Sequence, residues 1–382
     1  MKKVIVLGAG LVGNVIARDL VKDPEIEVTV LDINQEALNF LQNNFNIQVI
    51  RADLSNTDNL RKIISDFDLV VGAVPGFMGY QTLKTVIEEG KDIVDISFFD
   101  EDPFSLSELA KEKGVTAVVD CGVAPGLSNI ILGYINSIME NVNSFLCYVG
   151  GLPVIRTWPY EYKAPFSPID VIEEYTRPAR FVENGKLVVK PALSDAELLE
   201  FEGMGTLEAF NTDGLRTLLK TMNHIPNLKE KTLRYPGHIE KIRILRETGF
   251  FSKEKINVDG VDIKPIDLTS KLLFKEWKLR PGEEDYTIME IEVEGKNENK
   301  IIQYRYYLLD RYDKKEKIIS MARTTGFTCS IIANLVVKGK YSPKTLVPPE
   351  LIGENHDIFK ILMTELEKRN VRFKTTVREL KI

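Results

Sequence analysis

Gly8-Ala9-Gly10-Leu11-Val12-Gly13, followed nineteen residues later by Asp32, has the residue types and spacing that hold a dinucleotide. Gly8 permits a tight turn, Gly10 admits a pyrophosphate against the backbone, and Gly13 lets a helix pack close to the preceding strand. The Asp32 carboxylate can accept from both ribose hydroxyls, and the next residues, Ile33 and Asn34, supply no cation for a 2′-phosphate. NAD is therefore expected over NADP. Further along, Asp53 is placed to reach the adenine end or to cap a helix. Val74 and Pro75 lie in a run of small residues where the dinucleotide must pass.

Such residues need an α/β frame to position them. Val4–Leu7 reads as a buried strand and Val28–Asp32 as the second strand. The helix between them, from about Val12 to Val21, turns its unpaired N–H groups toward the phosphates. Apolar runs at Gln48–Ile50, Leu69–Val74, Ile93–Ile96 and Ala117–Val119 then alternate with amphipathic segments, which predicts a doubly wound parallel sheet. Ser97, Asp120 and Cys121 fall at the ends of the fifth and sixth strands, on the side where a nicotinamide or substrate is expected. Cys121 also reads as a small apolar filler.

At 382 residues the chain is long enough for two domains, and a net charge of −6 points to no nucleic-acid partner. Asn14, Arg18 and Asp19 interrupt the N-terminal apolar run, so it reads as neither signal peptide nor membrane span. Three scattered cysteines and three separated histidines suggest no disulfide framework and no metal. The expectation is a soluble, cytoplasmic protein. After about residue 140 the pattern changes: an Asn184-Gly185 hairpin and a second hairpin over Thr287–Val293 and Lys300–Leu309 predict a mixed α/β (α+β-like) insert. Gly326–Val337 and Asp357–Lys368 return to helical periodicity. The domains expected are 1–125 with helices returning over about 321–382, and 126–320 between them.

Several longer motifs carry a resemblance: Val94-Asp95-Ile96-Ser97-Phe98, Cys121-Gly122-Val123-Ala124-Pro125-Gly126, Val149-Gly150-Gly151-Leu152-Pro153, Thr232-Leu233-Arg234-Tyr235-Pro236-Gly237-His238 and Ala322-Arg323-Thr324-Thr325-Gly326. With the front glycines, the chain resembles the saccharopine dehydrogenase-like family, and within it most the L-lysine 6-dehydrogenases. The resemblance implies a Rossmann nucleotide domain interrupted by a substrate and dimerisation domain, and a homodimer or higher homo-oligomer. It also implies NAD-linked oxidation of a carbon–nitrogen bond in an amino acid. For lysine this yields the semialdehyde and then piperideine-6-carboxylate. Thr232 matches a position that the family uses to touch substrate, and Gly150 falls in another shared motif. Ala124 departs from the acid common before this proline in saccharopine-forming reductases, which suits a smaller substrate.

The reaction adds its own demands. The amine must be neutral, its proton needs a base, and the developing iminium needs a carboxylate or carbonyl nearby. Asp120 is a carboxylate on the expected side. His238, with an ordinary pKa of about 6.5, leads as acid/base, ahead of Lys163 and Lys231; it would otherwise cap or underpin the helix that follows. Arg216 and Arg234 are candidates for a bidentate clamp on the α-carboxylate, or for internal salt bridges. Arg323 binds substrate or fastens the domains together. Trp158 forms a pocket wall or, more in keeping with its type, a core or interface aromatic. Two alternatives stand beside the ε-dehydrogenase: an NADPH-linked saccharopine- or carboxynorspermidine-type reductase, and a non-catalytic NAD-binding paralogue.

Overall fold

The computed structural model describes residues 1–380 and divides into two units, residues 1–138 with 322–371, and residues 139–321 with 372–380.

The first unit starts with β1 (Lys2–Leu7), α1 (Leu11–Leu20), β2 (Ile26–Asp32), α2 (Gln35–Asn44), β3 (Gln48–Arg51) and α3 (Thr57–Ile64). It continues through β4 (Leu69–Gly72), α4 (Gly76–Glu88), β5 (Asp92–Asp95), α5 (Ser107–Lys113), β6 (Ala117–Val118) and α6 (Leu127–Ile138). Every strand pairing is parallel, and the order β6-β5-β4-β1-β2-β3 is that of a dinucleotide fold. Val4 to Leu7 are fully buried, as an all-apolar strand covered on both faces must be. Asn34 and Asn56 cap α2 and α3 by accepting backbone N–H bonds.

The second unit contains β7 (Asn141–Pro153), α7 (Pro168–Thr176), β8 (Ala179–Glu183), β9 (Lys186–Lys190), β10 (Glu197–Phe201), β11 (Gly205–Asn211) and α8 (Leu218–Thr221). Then follow β12 (Asn227–Arg234), α9 (His238–Glu247), β13 (Ile256–Val258), β14 (Val261–Ile263), α10 (Pro265–Trp277), β15 (Asp285–Asn297) and β16 (Lys300–Arg311). Asn184 and Gly185 both take positive φ, so the β8–β9 turn has the predicted hairpin chemistry. The large sheet mixes parallel β12–β7 with antiparallel neighbours, and α7, α9 and α10 bury an aromatic cluster that includes Tyr162, Tyr175, Phe210 and Trp277.

Helix α11 (Ser320–Val337) opens in the second unit and continues as part of the first, followed there by β17 (Leu346–Val347), α12 (Pro349–Glu354) and α13 (His356–Lys368). β17 lies parallel to β6 and makes a seventh strand. Two boundaries differ from the expected ones. Helix α6 belongs to the first unit, where Gly133 packs against the Glu350 backbone so closely that a Cβ would lie 2.0 Å from its carbonyl oxygen. The chain end also does not stay with the nucleotide domain: β18 (Phe373–Leu380) pairs antiparallel with β16 in the second unit.

Candidate functional site

The glycine loop follows β1 and packs tightly. Gly8 has φ +114°, and a Cβ there would lie 2.4 Å from the Ala73 carbonyl oxygen. A Cβ on Gly13 would lie 2.1 Å from the Gly8 carbonyl oxygen, so helix and loop touch through both residues. Gly10 is the opposite case, with no atom within 4 Å of an added Cβ. Gly10 is the N-cap of α1 but gives no side-chain cap, and no acid stands in the first turn. The amides around Leu11 and Val12 are thus left for an anion, in contrast to the asparagine-capped α2 and α3.

Asp32 ends β2 with Oδ2 accepting from the Ala9 N–H at 2.6 Å and Oδ1 from the Asn34 N–H at 2.7 Å. The two bonds fix the carboxylate beside the glycine loop. Arg51, which the sequence reading passed over, is the register partner of Asp32 on β3; it is exposed, and its Nε donates to the Ile33 carbonyl at 3.3 Å. The signal was a basic residue ending the strand after the acid-ended one. Asp53 is exposed and accepts the Ser55 N–H at 2.9 Å, which together with the Ser55 side chain holds its carboxyl below the ordinary value; this is a local turn, and the cap of α3 is Asn56 instead. Val74 is buried and Pro75 is the N-cap of α4, which likewise has no side-chain cap. The first unit therefore fits a dinucleotide.

At the ends of β5 and β6 the support comes from Asp95, which the sequence placed in a strand-end motif without a role of its own. Its buried carboxylate accepts the Ser97 N–H at 2.8 Å and the Ser97 hydroxyl at 3.2 Å. Gly72 makes room for it: a Cβ there would lie 1.9 Å from Asp95 Oδ2. Asp120 is buried with φ +50°, a strained placement for a residue with a side chain. Cys121 is fully buried, as is Cys329, whose ionisation is pushed well up by burial and by Cys121 beside it. Arg323 is buried and donates to the Arg369 carbonyl at 3.0 Å over the Phe327 ring, bonds internal to the first unit.

In the second unit, β12 carries Thr232 and Arg234 on one face. The Thr232 and Thr212 hydroxyls lie 2.8 Å apart. Arg234 is 2% exposed and densely partnered: Nε donates to the Tyr175 hydroxyl at 3.0 Å, and Nη2 to Glu174 Oε2 at 2.8 Å. Its guanidinium also lies 4.5 Å from the Tyr162 ring centre. Burial opposes its charge, but Tyr162, Tyr175 and Glu174 outweigh it and raise its pKa; burial likewise raises Glu174 against the pull of Arg234. The ring of His238 lies behind, with Nδ1 2.8 Å from the Tyr160 carbonyl and Nε2 2.9 Å from the Tyr175 hydroxyl. The carbonyl can only accept, so Nδ1 carries the proton and Nε2 accepts from Tyr175. Burial, aided by the Arg234 charge, pushes His238 down to about 3. The imidazole is neutral and enclosed, and it is not presented as an open acid/base.

The other basic candidates are held as well. Lys163 Nζ donates to the Glu276 carbonyl at 2.8 Å, and Lys231, buried, bonds Glu197 at 2.6 Å and the Asp195 carbonyl at 2.8 Å. Arg216 is 9% exposed and has φ +51°. Gly150 lets β12 approach: a Cβ there would lie 2.7 Å from the Leu233 carbonyl oxygen. Trp158 is no core aromatic; it is 77% exposed, with Lys241 Nζ 5.0 Å from its ring centre. Glu174, Tyr175 and Tyr162 had no local signal, because α7 and the loop before it acquire their role only by packing on β12. Among the described residues no group of three or more His, Cys, Asp or Glu could hold a metal ion, and no helix is long and apolar enough to cross a membrane.

Two family models match the chain: the saccharopine dehydrogenase NADP binding domain over residues 4–118 and the saccharopine dehydrogenase C-terminal domain over residues 122–371. The mitochondrial alpha-aminoadipic semialdehyde synthase of Mus musculus is 26% identical over 267 residues, 66% of this chain and 29% of that protein. The Schizosaccharomyces pombe saccharopine dehydrogenase (NADP(+), L-glutamate-forming) is 28% identical over 272 residues, 66% of this chain and 59% of that protein. The match to this chain thus spans less than two thirds of either relative. The solved apo saccharopine dehydrogenase (L-Glu forming) of Saccharomyces cerevisiae shares the fold, with a TM-score of 0.79 at 20% identity over 99% of this chain and 100% of that one. The chain belongs to the saccharopine dehydrogenase family.

Proposed function

We propose that the chain is a dehydrogenase acting on the carbon–nitrogen bond of an amino acid, with the L-lysine ε-amine as substrate and NAD as hydride acceptor. The observation that carries this reading is the Asp32 carboxylate fixed by two amides beside an uncapped helix N-terminus. When bound, the nicotinamide supplies a two-electron acceptor. The chain's residues do the rest. Ser97, anchored by Asp95, and Cys121 present small groups at the strand ends. Asp120 is the carboxylate we assign to steady the cation that develops as hydride leaves, the amine having first lost its proton to solvent. Arg216 takes the α-carboxylate clamp, because a left-handed backbone is a costly place for an arginine whose role is only structural. Arg234, already neutralised by Glu174, shapes the wall that holds Thr232.

Two further features bear on the setting. The family resemblance supports a homodimer formed through the sheet of the second unit. Three buried cysteines, none in a disulfide, suit a reducing compartment such as the cytoplasm.

A second reading has specific support. Arg51 beside Asp32 could receive a 2′-phosphate, and the name of the Schizosaccharomyces pombe relative specifies NADP(+) and saccharopine. Incubating the protein with NAD or NADP and lysine, ornithine, saccharopine or a polyamine, and following reduced-coenzyme absorbance, separates the readings. Fastest turnover with NAD and lysine is expected. Fastest turnover with NADP and saccharopine would replace our assignment with the second reading. Silence throughout, despite coenzyme binding, would make the chain a non-catalytic binder.

A further inference from the structure

Asp19, which interrupts the apolar run of α1, has no part in the site described above, yet it is only 5% exposed. Its Oδ2 accepts from the Ser330 hydroxyl at 2.7 Å and from Arg369 Nε at 2.9 Å. Ser330 belongs to α11, and Arg369 stands just past α13, where its Nη1 also donates to the Glu365 carboxylate at 2.7 Å. All of these residues lie in the first unit.

Further contacts extend the pattern along both helices. A Cβ on Gly326 would lie 3.3 Å from Val15 Cγ1 and 3.5 Å from Ile16 Cγ1, so this glycine brings α11 close to the middle of α1. Asn334 Nδ2 donates to Asp23 Oδ2 at 2.8 Å. Lys338 Nζ bonds the same Asp23 carboxylate and, at 2.7 Å, Glu25 in the turn leading to β2. Residues 326, 330, 334 and 338 are each about one helical turn apart and form a single stripe. Their partners advance in the same order through Val15, Asp19 and Asp23, so the two helices run parallel, with a contact at every turn.

The placement of Asp19 is costly. A carboxylate in the last turn meets the negative end of its own helix, and burial strips its water. A leucine would fill the space without either cost. What the carboxylate adds is direction: its hydrogen bonds fix α1 along its axis, where apolar packing alone tolerates sliding. The front of α1 cannot be fastened in the same way. Its N-cap is Gly10, with no side-chain cap, and a capping side chain would take up the amides that a phosphate needs.

We propose that Asp19 is a positioning residue for the coenzyme: with Ser330 and Arg369 it sets how far the open end of α1 reaches toward the pyrophosphate of a bound dinucleotide. The inference rests on the dinucleotide reading of the first unit and holds for NAD and NADP alike. Asp19 acts through the helix and touches no coenzyme atom. Adenosine, gripped at Asp32 and lacking a phosphate, is indifferent to where that helix ends.

Isothermal titration of the full chain with NAD, NADP and adenosine tests this, with wild type beside Asp19→Leu, which keeps the bulk and removes both hydrogen bonds. The titrations are made well below the melting temperature of each protein, so that both are folded. The expected result is a fall of about tenfold in affinity for the coenzymes, the upper range of a helix-terminus interaction, with adenosine affinity unchanged. A structural role alone would move the melting temperature and leave all three affinities as they are. Equal coenzyme affinity in the two folded proteins therefore overturns the proposal. So does a matching loss for adenosine, which would put the damage outside the phosphate end. A wild-type chain that takes up neither coenzyme would sink the dinucleotide reading itself, and this proposal with it. Should Asp19→Leu fail to fold, Ser330→Ala replaces it and leaves the ion pair; a fall of about threefold is then expected for the coenzymes alone, and the same outcomes decide.

Discussion

Asp32 gives one carboxylate oxygen to Ala9 and the other to Asn34, so its position is set before any coenzyme arrives. Asp32→Ala should raise the KM for NAD by about 10–100-fold, the worth of charge-assisted hydrogen bonds, while KM for NADP falls. Initial-rate kinetics with both coenzymes check this. Arg234 and Glu174 form the other decisive pair. Removing one partner of a buried ion pair strands the other, so Arg234→Met should lower unfolding free energy by about 3–5 kcal/mol, and adding Glu174→Gln should restore much of it. A urea double-mutant cycle measures the recovery. For His238, the folded pKa of about 3 lies below the unfolded value of about 6.5. Its contribution to stability is complete above that unfolded value and is lost as pH falls toward 3, by up to about 1.4 kcal/mol per pH unit. His238→Gln should flatten that acid limb, and the pH profile of kcat should show no inflection that this variant removes.

At the scale of elements, glycine contacts couple loop to helix. Gly13→Ala drives a methyl against the Gly8 carbonyl and should cost about 1–3 kcal/mol of stability together with coenzyme affinity, read by calorimetry. Helix α11 depends on a carboxylate from β15: Asp285 accepts the Ser320 N–H at 2.6 Å and the Met321 N–H at 3.1 Å. Burial raises its folded pKa to about 6, with Asp310 adding to the rise against the two amides. A raised acid favours folding below its unfolded pKa, and that advantage is lost as pH rises through about 6. The stability of Asp285→Asn relative to wild type should therefore improve by roughly 2–3 kcal/mol between pH 4 and 8. Thermal unfolding at several pH values tests this.

For the whole molecule, the parallel sheet was legible from its apolar runs and the β8–β9 hairpin from its Asn-Gly turn, while the long β15–β16 hairpin, which turns at Glu298-Asn299, was legible only from its two strand-like runs. β18 was not: its residues are mostly exposed and polar, and only pairing with β16 makes Phe373–Leu380 a strand. The coenzyme side of the site was legible for the same local reason, through glycines and an acid at fixed spacing. The substrate side was legible as residue types but not as roles. Whether Arg234 is open or paired, and His238 charged or neutral, depends on α7 and on Tyr160, Tyr162 and Tyr175, brought there by folding alone. Isothermal titration with NAD and NADP tests the central claim most directly. The account predicts saturable binding of NAD, tighter than NADP, with the preference lost in Asp32→Ala. No heat of binding from either coenzyme would contradict it.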